Sequence, residues 1–451
     1  MPAPEMFHRH RPWILFLALA SVFVAALASI PGYFSADELQ WLARARSAPT
    51  LAALPWVSFT DLSPFQYRPL TFNLWLLLAH LGGDRPWFSH AAFALAMVGI
   101  ALLLRQLLLA FGVQSSRPWN AATLFLLLPT TVFSAGWVGT LADLLVAAIA
   151  LAAMLLASHA RARPMALAVH ATIALLSTAV ALLAKESALV LPLAWLLYAA
   201  VSDARREGIV AAAAASVAVA TYLLLRMDPL LHPPSPVPYY AWQLSYLPRR
   251  VLDYLLFPLL PSVEEAHTVA LRSVATQLGA GLLVLLWWRD CWQRARWRGL
   301  AVTAASLALI GPALLLPKAS AHFALLAGVA LAAGLAWLAP APGRNTRWLH
   351  ALLLLLLCWH DVNLLRRFHR DAAVQTALLD DAARILATPA GTHSLRLHAG
   401  SAEVAHVLAR SASVPSWRGQ PLQLHVVDGE PARSVDFVVQ SDGRLRPATE
   451  R

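Results

Sequence analysis

The sequence predicts an all-α polytopic membrane protein of about eleven transmembrane helices, with outer juxtamembrane helices and a small α/β C-terminal tail. Of its 451 residues, 59% are hydrophobic and only 13% are charged, whereas a soluble domain carries about 25% charged residues. The mean hydropathy is +0.59. Long apolar runs alternate with short arginine clusters, so the net charge of +11 reports membrane orientation and not nucleic-acid binding. This composition excludes a water-soluble enzyme, a disordered chain and a secreted disulfide scaffold.

Eleven apolar segments approach the length of about 20 residues that a spanning helix needs. The first of them, which includes the run Trp13–Ile30, is longer than the core of a signal peptide, and we therefore expect a retained anchor. The predicted spans are 12–31, 87–110, 119–135, 138–158, 164–183, 187–201, 209–226, 271–288, 299–316, 321–339 and 347–364.

A further apolar segment, Arg68–Leu81, decides the topology because it is short and contains Arg68, Asn73 and His80. If it lies on the outer surface without crossing, every short inner connection is basic. If it crosses, the arginine clusters from Arg105 to Arg347 face outward, against the positive-inside rule. We therefore predict a multi-pass protein of a bacterial inner membrane, with the N-terminus inside and the C-terminus outside.

This topology defines two parts of the chain. Residues 1–364 form the predicted transmembrane domain, whose outer loops are 32–86 and 227–270, and residues 365–451 form a small outer C-terminal domain. The hydrophobic periodicity of the tail predicts a helix over Asp371–Leu386, strands over Ser394–His398, Leu422–Val427 and Ser434–Gln440, and a turn at Asp428-Gly429.

The acidic pair Asp37-Glu38 is the first candidate site, just beyond the first span. Ser35 is placed to cap a short helix with Glu38 in the capping-box position. Two adjacent carboxylates beside apolar surroundings raise one another's proton affinity, which suits a general base. The alternative is a helix N-terminus that carries acids because they stabilise the helix dipole.

Basic residues at the predicted outer surface form the second candidate group. Tyr67 and Arg68 precede Pro69, so the guanidinium is held in place to bind a phosphate; interfacial anchoring is the alternative. The chain has two lysines, Lys185 and Lys318, and both fall at outer helix ends. A compact ammonium suits a phosphate-bearing ligand, although chance placement also explains them.

Asp143 lies in the outer third of the predicted span 138–158. An ionisable residue at membrane depth is a functional candidate, and the alternative is a hydrogen bond between helices. Together with the preceding candidates, Asp143 places acids and bases on the outer face of the membrane, whereas a proton-coupled transporter concentrates them near the midplane.

These motifs, in this order, resemble the GT-C-type integral-membrane glycosyltransferases over roughly residues 12–340. Asp37-Glu38 is similar to the acidic pair of the protein O-mannosyltransferases. The tetratricopeptide-linked O-mannosyltransferase group has stretches similar to Tyr67–Thr71, Trp137–Leu145 and Ala184–Glu186. The surface segment also resembles the Lys-Pro-Pro-Leu stretch of the lipid A aminoarabinose transferases. The stretch 318–323, with Lys318 and His322, loosely matches that family's pattern near the tenth span.

The resemblance implies an inverting hexosyl or pentosyl transfer from a polyprenyl-phosphate carrier to a cell-envelope glycan, lipid or protein. Asp37 is then the general base, and Glu38 orients the acceptor or shares the proton. The residues implied for the donor phosphate are Arg68, Lys185, Lys318, Arg249 and Arg250. Those implied for substrate positioning are Tyr67, Asp143, Glu186 and His322. Some GT-C enzymes use a divalent metal, but the sequence shows no ligand cluster, so we expect neither a metal nor another cofactor.

Three other functions stay open at this point. An O-antigen-ligase-like transferase would place its key basic residues in a large outer loop late in the chain. The predicted loop 227–270 resembles such a loop only in carrying Arg249 and Arg250. A membrane transporter or lipid-linked glycan flippase would show paired halves with interrupted midplane helices. An inactive scaffold would lack the acidic residue at the start of the first outer loop, and Asp37 is present.

Overall fold

The computed structural model describes residues 4–33, 36–82, 85–114, 116–160, 165–232, 242–259, 274–295, 297–338, 347–388, 394–427 and 435–448. Within these ranges the chain is mostly helical, with sixteen α-helices and six short strands near the C-terminus. Ser35, the predicted helix cap, and the Asp428-Gly429 turn lie outside the described residues.

The helices carry the apolar segments that the sequence analysis singled out. In chain order they are α1 Pro4–Ala28, α2 Ala36–Arg46, α3 Pro69–Gly82, α4 Pro86–Ala110, α5 Arg117–Leu126, α6 Pro129–Gly136, α7 Leu141–Ala160, α8 Ala166–Ala184, α9 Leu191–Val201, α10 Arg205–Leu231, α11 Leu247–Leu256, α12 Val274–Ala295, α13 Trp297–Ala308, α14 Leu325–Leu338, α15 Arg347–Leu386 and α16 Ala402–Ser411. Short 3-10 segments at Val138–Thr140, Glu186–Val190, Gly311–Leu315 and Ala321–Ala324 adjoin several of them.

Among the described residues, five helices are long and apolar enough to cross a membrane: Pro86–Ala110, Val138–Ala160, Ala166–Ala184, Arg205–Leu231 and Arg347–Leu386. Five shorter apolar helices are Pro12–Ala28, Pro69–Gly82, Glu186–Val201, Gly299–Ala308 and Ala321–Ala336. The chain is therefore compatible with a membrane protein, and the count of eleven spans stays a prediction.

Two predicted spans are not single helices. The segment 119–135 is divided between α5 and α6, because Pro129 opens α6 and a proline cannot donate the backbone hydrogen bond that would continue α5. The segment 299–316 ends as an α-helix at Ala308 and continues as the 3-10 segment Gly311–Leu315. Gly311 has φ +58, a left-handed conformation that favours glycine. Neither break is visible in the hydropathy of the sequence, because both segments are apolar throughout.

Helix α3 corresponds to the segment that decides the topology. Its 14 residues extend about 21 Å, less than the roughly 30 Å of a bilayer core. Its buried face includes Thr71, Trp75 and Ala79, which are spaced four residues apart, and it packs against α2, α4 and α8. The hydroxyl of Thr71 donates to the carbonyl of Ala184 at 2.8 Å. The helix is thus attached to the end of α8.

Helix α15 is continuous over 40 residues, about 60 Å, and includes the predicted helix Asp371–Leu386 as its last part. The predicted domain boundary at 364/365 therefore falls inside an unbroken helix. Its second half is buried along one stripe that includes Phe368, Ala372 and Leu379, and α16 packs against it.

The tail contains a four-stranded sheet in the order β4-β1-β5-β6, in which β1 pairs in parallel with β4 and β5 while β6 is antiparallel to β5. Helix α16 connects β1 to β4, so these three elements form a βαβ unit. The strands are β1 Leu395–Ala399, β2 Ser416–Trp417, β3 Gln420–Pro421, β4 Leu424–Val426, β5 Phe437–Val439 and β6 Leu445–Pro447. The three predicted tail strands are confirmed: β4 and β5 are shorter than predicted, and β1 is shifted by one residue. The elements β2, β3, β6 and α16 were not predicted.

Candidate active site

The two carboxylates in the first turn of α2 have different surroundings. Glu38 is 1% exposed, and its Oε1 accepts a hydrogen bond from the backbone amide of Gly139 at 3.3 Å. Gly139 belongs to the 3-10 segment between α6 and α7, so Glu38 attaches α2 to that turn. Asp37, by contrast, is exposed. Of the acidic pair, Asp37 is therefore the carboxylate that a substrate can reach.

The environment of Asp37 favours its protonated form. The surrounding protein desolvates the carboxyl and raises its pKa above the ordinary value, although part of the side chain is open to solvent. The guanidinium groups of Arg68 and Arg410 act in the opposite direction and lower the pKa. Arg68 was predicted from the sequence. Arg410, on α16 of the tail, was not.

Arg68 forms an ion pair with Glu186. Both its Nε and its Nη2 bind Oε2 of Glu186, at 2.9 and 2.8 Å. The two side chains are 18% and 20% exposed, so the pair borders the solvent. Since Arg68 precedes α3 and Glu186 follows α8, this contact joins two helix ends that are far apart in sequence.

A second ion pair lies deeper. The Nζ of Lys185 donates to Oδ2 of Asp143 at 2.6 Å, and the side chains are only 6% and 5% exposed. The Nε2 of His322 is 4.0 Å from the same carboxylate oxygen, and Nζ of Lys185 is 4.7 Å from the centroid of Phe323. Asp143 also lies within electrostatic range of Arg68 and Glu186, so the two ion pairs are neighbours.

His322 is held from several sides. Its Nδ1 is 2.6 Å from the hydroxyl of Ser320, and its ring lies 5.0 Å from that of Trp137 in an edge-on arrangement. The hydroxyl of Tyr254, on α11, donates to the carbonyl of Ser320 at 3.2 Å and accepts from its amide at the same distance. Helix α11 thereby fixes the segment before α14.

The remaining predicted phosphate-binding residues have other contacts. Arg249 and Arg250 both pair with Asp253 on their own helix, at 3.0 and 2.7 Å. Burial raises the pKa of Asp253, and the two arginines act to lower it. Lys318 is partly buried in the segment that leads to Ser320. The role of these three cations in phosphate binding stays a prediction.

Tyr67 anchors the segment between α2 and α3, the predicted first outer loop. It is buried, its hydroxyl donates to the carbonyl of Phe59 at 2.6 Å, and Arg226 of α10 lies 5.2 Å from the centroid of its ring. Arg226 is fully buried and donates to the carbonyls of Leu62, Pro64 and Phe65. Tyr67 and Arg226 therefore fix the backbone immediately before Arg68. Sequence reasoning missed Arg226, whose signal was an arginine inside an apolar segment.

The site thus consists of ionisable side chains that come from separate segments of the chain, and we call this set of residues the row. Asp37 lies within electrostatic range of Arg68; Arg68 pairs with Glu186, and Asp143 pairs with Lys185 beside His322. All these groups lie at or next to helix ends. The described residues contain no group of three or more His, Cys, Asp or Glu side chains placed to hold a metal ion, and a metal-independent mechanism stays a prediction.

Comparisons with protein-family models, with curated proteins and with solved structures give no match to this chain.

Proposed function

We propose that the protein is a GT-C-type glycosyltransferase that moves a sugar from a polyprenyl-phosphate carrier to a cell-envelope acceptor at the outer face of the membrane. The observation that carries the proposal is the row itself: an accessible carboxylate, Asp37, lies within electrostatic range of Arg68, beside two oriented ion pairs. An inverting transfer needs a base for the acceptor hydroxyl and cations for the leaving phosphate.

Asp37 is the proposed general base. It is exposed, and its raised pKa makes it a stronger proton acceptor than an ordinary aspartate. The acceptor oxygen attacks the anomeric carbon as its proton passes to the Asp37 carboxylate, and the bond from that carbon to the carrier phosphate breaks. Glu38 has a supporting role in this proposal, since its carboxylate holds the turn at Gly139.

Arg68 and Lys185 are the proposed ligands of the departing phosphate. Glu186 and Asp143 hold them in fixed orientations before the donor binds, and such preorganisation is what makes cations effective against charge that develops in a transition state. The donor is a membrane lipid, so an enzyme in the bilayer meets it without extracting it. His322 and Asp143 lie beside Lys185 and are proposed to position the sugar.

The positions of these groups favour a transferase over a transporter or flippase. Asp143 is in the first turn of α7, Lys185 directly follows α8, and His322 directly precedes α14. A proton-coupled transporter would carry such groups near the bilayer midplane, on interrupted helices that correspond between two paired halves.

The proposal includes the eleven-span topology, with the N-terminus inside and the C-terminus outside. It rests on the arginine clusters of the short connections, which face inward together only if α3 does not cross the membrane. In a background with Cys291 and Cys358 replaced by serine, Leu78→Cys should react with an impermeant maleimide added to the outer face. Labelling only after the membrane is opened would contradict this placement of α3.

Kinetics with the donor provide the functional test. Membranes that contain Arg68→Gln should show a raised KM for polyprenyl-phosphate-linked sugars, because a phosphate ligand is lost. Arg289→Gln is the matched control, since Arg289 is an exposed residue of α12 outside the row. Equal effects of the two variants on donor use would contradict the phosphate assignment.

A further inference from the structure

The C-terminal tail contacts the helix that carries Asp37. The side chain of Gln40 donates to the carbonyl of Ser413 at 3.3 Å, and the guanidinium of Arg46 lies 6.0 Å from the centroid of the Trp417 ring. Strand β2, which contains Trp417, packs against α2. The tail is therefore not an independent appendage of the membrane helices but borders the candidate site.

Helix α16 is held on α15 by a buried polar network. The Nε2 of His406 is 3.1 Å from Oδ2 of Asp371, and Arg367 and Arg370 lie 3.6 and 3.3 Å from the same carboxylate. Burial alone would raise the pKa of Asp371, but His406 and the two arginines lower it below the ordinary value. Gln375 also donates to the hydroxyl of Ser411 at 3.3 Å.

Arg410 lies three residues before Ser413, whose carbonyl accepts the hydrogen bond from Gln40 on the helix that carries Asp37. It follows His406 by four residues, so both lie on one face of α16. It is partly exposed and lies within electrostatic range of Arg367 on one side and of Asp37 on the other. The anchoring of α16 therefore fixes where the positive charge of Arg410 stands relative to Asp37.

We propose that the tail completes the candidate site and that Arg410 is a positioning residue for Asp37, whose ionised carboxylate it stabilises and orients. For its effect on transfer, this inference rests on the proposed function. Among the described residues, Arg68 before α3 and Arg410 on α16 are the charged groups that act on Asp37, and Glu38 follows it on α2. Removal of Arg410 leaves Arg68 as the one cation among the described residues that is shown to oppose the desolvation of Asp37.

The test needs no substrate. The full-length protein in detergent micelles is labelled with a carbodiimide and glycine methyl ester, which react with protonated carboxyls, and labelling of Asp37 is followed by peptide mass spectrometry as a function of pH. Arg410→Gln should move the labelling midpoint upward by about one pH unit. Arg410→Lys should restore most of the wild-type midpoint, and Arg68→Gln should move it upward as well.

Arg396→Gln is the matched control, because this tail arginine pairs with Asp436 and not with Asp37. Its midpoint should equal that of the wild type. An unchanged midpoint in Arg410→Gln, with wild-type elution and melting temperature, would overturn the inference.

The transfer assay separates this inference from the proposed function. The acid limb of the pH–rate profile should move upward in Arg410→Gln together with the labelling midpoint. If the midpoint moves while the wild type transfers no sugar, the coupling of Arg410 to Asp37 holds and the proposed function fails.

Discussion

The Lys185–Asp143 pair gives the sharpest prediction, because its contribution to stability and its contribution to function can be separated. We expect Lys185→Met to destabilise the protein strongly, since it leaves the Asp143 carboxylate buried without the ammonium that binds it at 2.6 Å. In the double variant Asp143→Asn/Lys185→Met, neither charge remains. That variant should regain most of the lost stability while its use of the phosphate-linked donor stays impaired.

The magnitude follows from the geometry. At an effective dielectric constant of about 20, opposite unit charges 2.6 Å apart attract by about 6 kcal/mol, and desolvation of the two groups offsets much of this. Removing one partner of a buried pair costs about 3–5 kcal/mol, whereas replacing both is often close to neutral. We therefore expect about 3–5 kcal/mol for Lys185→Met and about 1 kcal/mol or less for the double variant.

The assay is denaturant-induced unfolding in mixed micelles, combined as a double-mutant cycle, with donor turnover measured on the same preparations. Arg249→Gln is the control: its ion pair is half exposed on the arginine side, and Arg250 remains beside Asp253, so the loss should be below about 1 kcal/mol. Additive losses in the double variant would refute the assignment of Lys185 and Asp143 as a coupled buried pair. Wild-type donor turnover in the double variant would refute the role of Lys185 in binding the phosphate.

Three further predictions concern Arg226, the Arg396–Asp436 pair and Glu38. Arg226→Met should destabilise the protein by at least about 3 kcal/mol, because three backbone carbonyls of the segment between α2 and α3 lose their charged donor, and limited proteolysis should cut residues 51–66 faster; unchanged cleavage would argue against the anchoring role. The hydrogen bond from Arg396 lowers the pKa of Asp436, so its stabilisation of the tail is present above the unfolded value near 3.8 and is lost as pH falls through the folded pKa. Arg396→Gln should therefore lower stability by less than about 1 kcal/mol at neutral pH, with the difference from wild type vanishing in acid; a difference that grows in acid would contradict this sign. Glu38→Gln should keep transfer within about tenfold of the wild type, because an amide oxygen still accepts from Gly139 and no proton-transfer group is lost; a loss of about 100-fold or more would make Glu38 the base.

Much of the site was predictable because ionisable residues beside apolar runs are conspicuous in a sequence of this composition. Asp37, Arg68, Lys185 and Asp143 were identified in that way. Their pairing was not predictable, since Arg68 and Glu186 are 118 residues apart and no local pattern encodes the contact.

Other features have no local pattern in the sequence that predicts them. Arg226 donates hydrogen bonds to backbone carbonyls more than 160 residues away in sequence. Arg410 lies on a tail helix whose position beside α2 depends on tertiary packing. The break before Pro129 and the left-handed Gly311 divide segments whose average hydropathy is uniform, so the number of apolar runs differs from the number of continuous helices. Three of the tail strands, β1, β4 and β5, were predictable from their alternation, but β6, helix α16 and the continuity of α15 across the expected boundary were not.

The proposed function requires Asp37 to remove the proton from the acceptor hydroxyl that receives the polyprenyl-linked sugar. Cells that produce the wild type or Asp37→Asn should be compared by mass spectrometry of polyprenyl-phosphate sugars, together with the sugars of the envelope glycans, lipids and proteins. If Asp37 is the general base, one lipid-linked sugar accumulates in the Asp37→Asn cells while one envelope acceptor loses that same sugar. A well-folded Asp37→Asn protein that changes neither pool would contradict it.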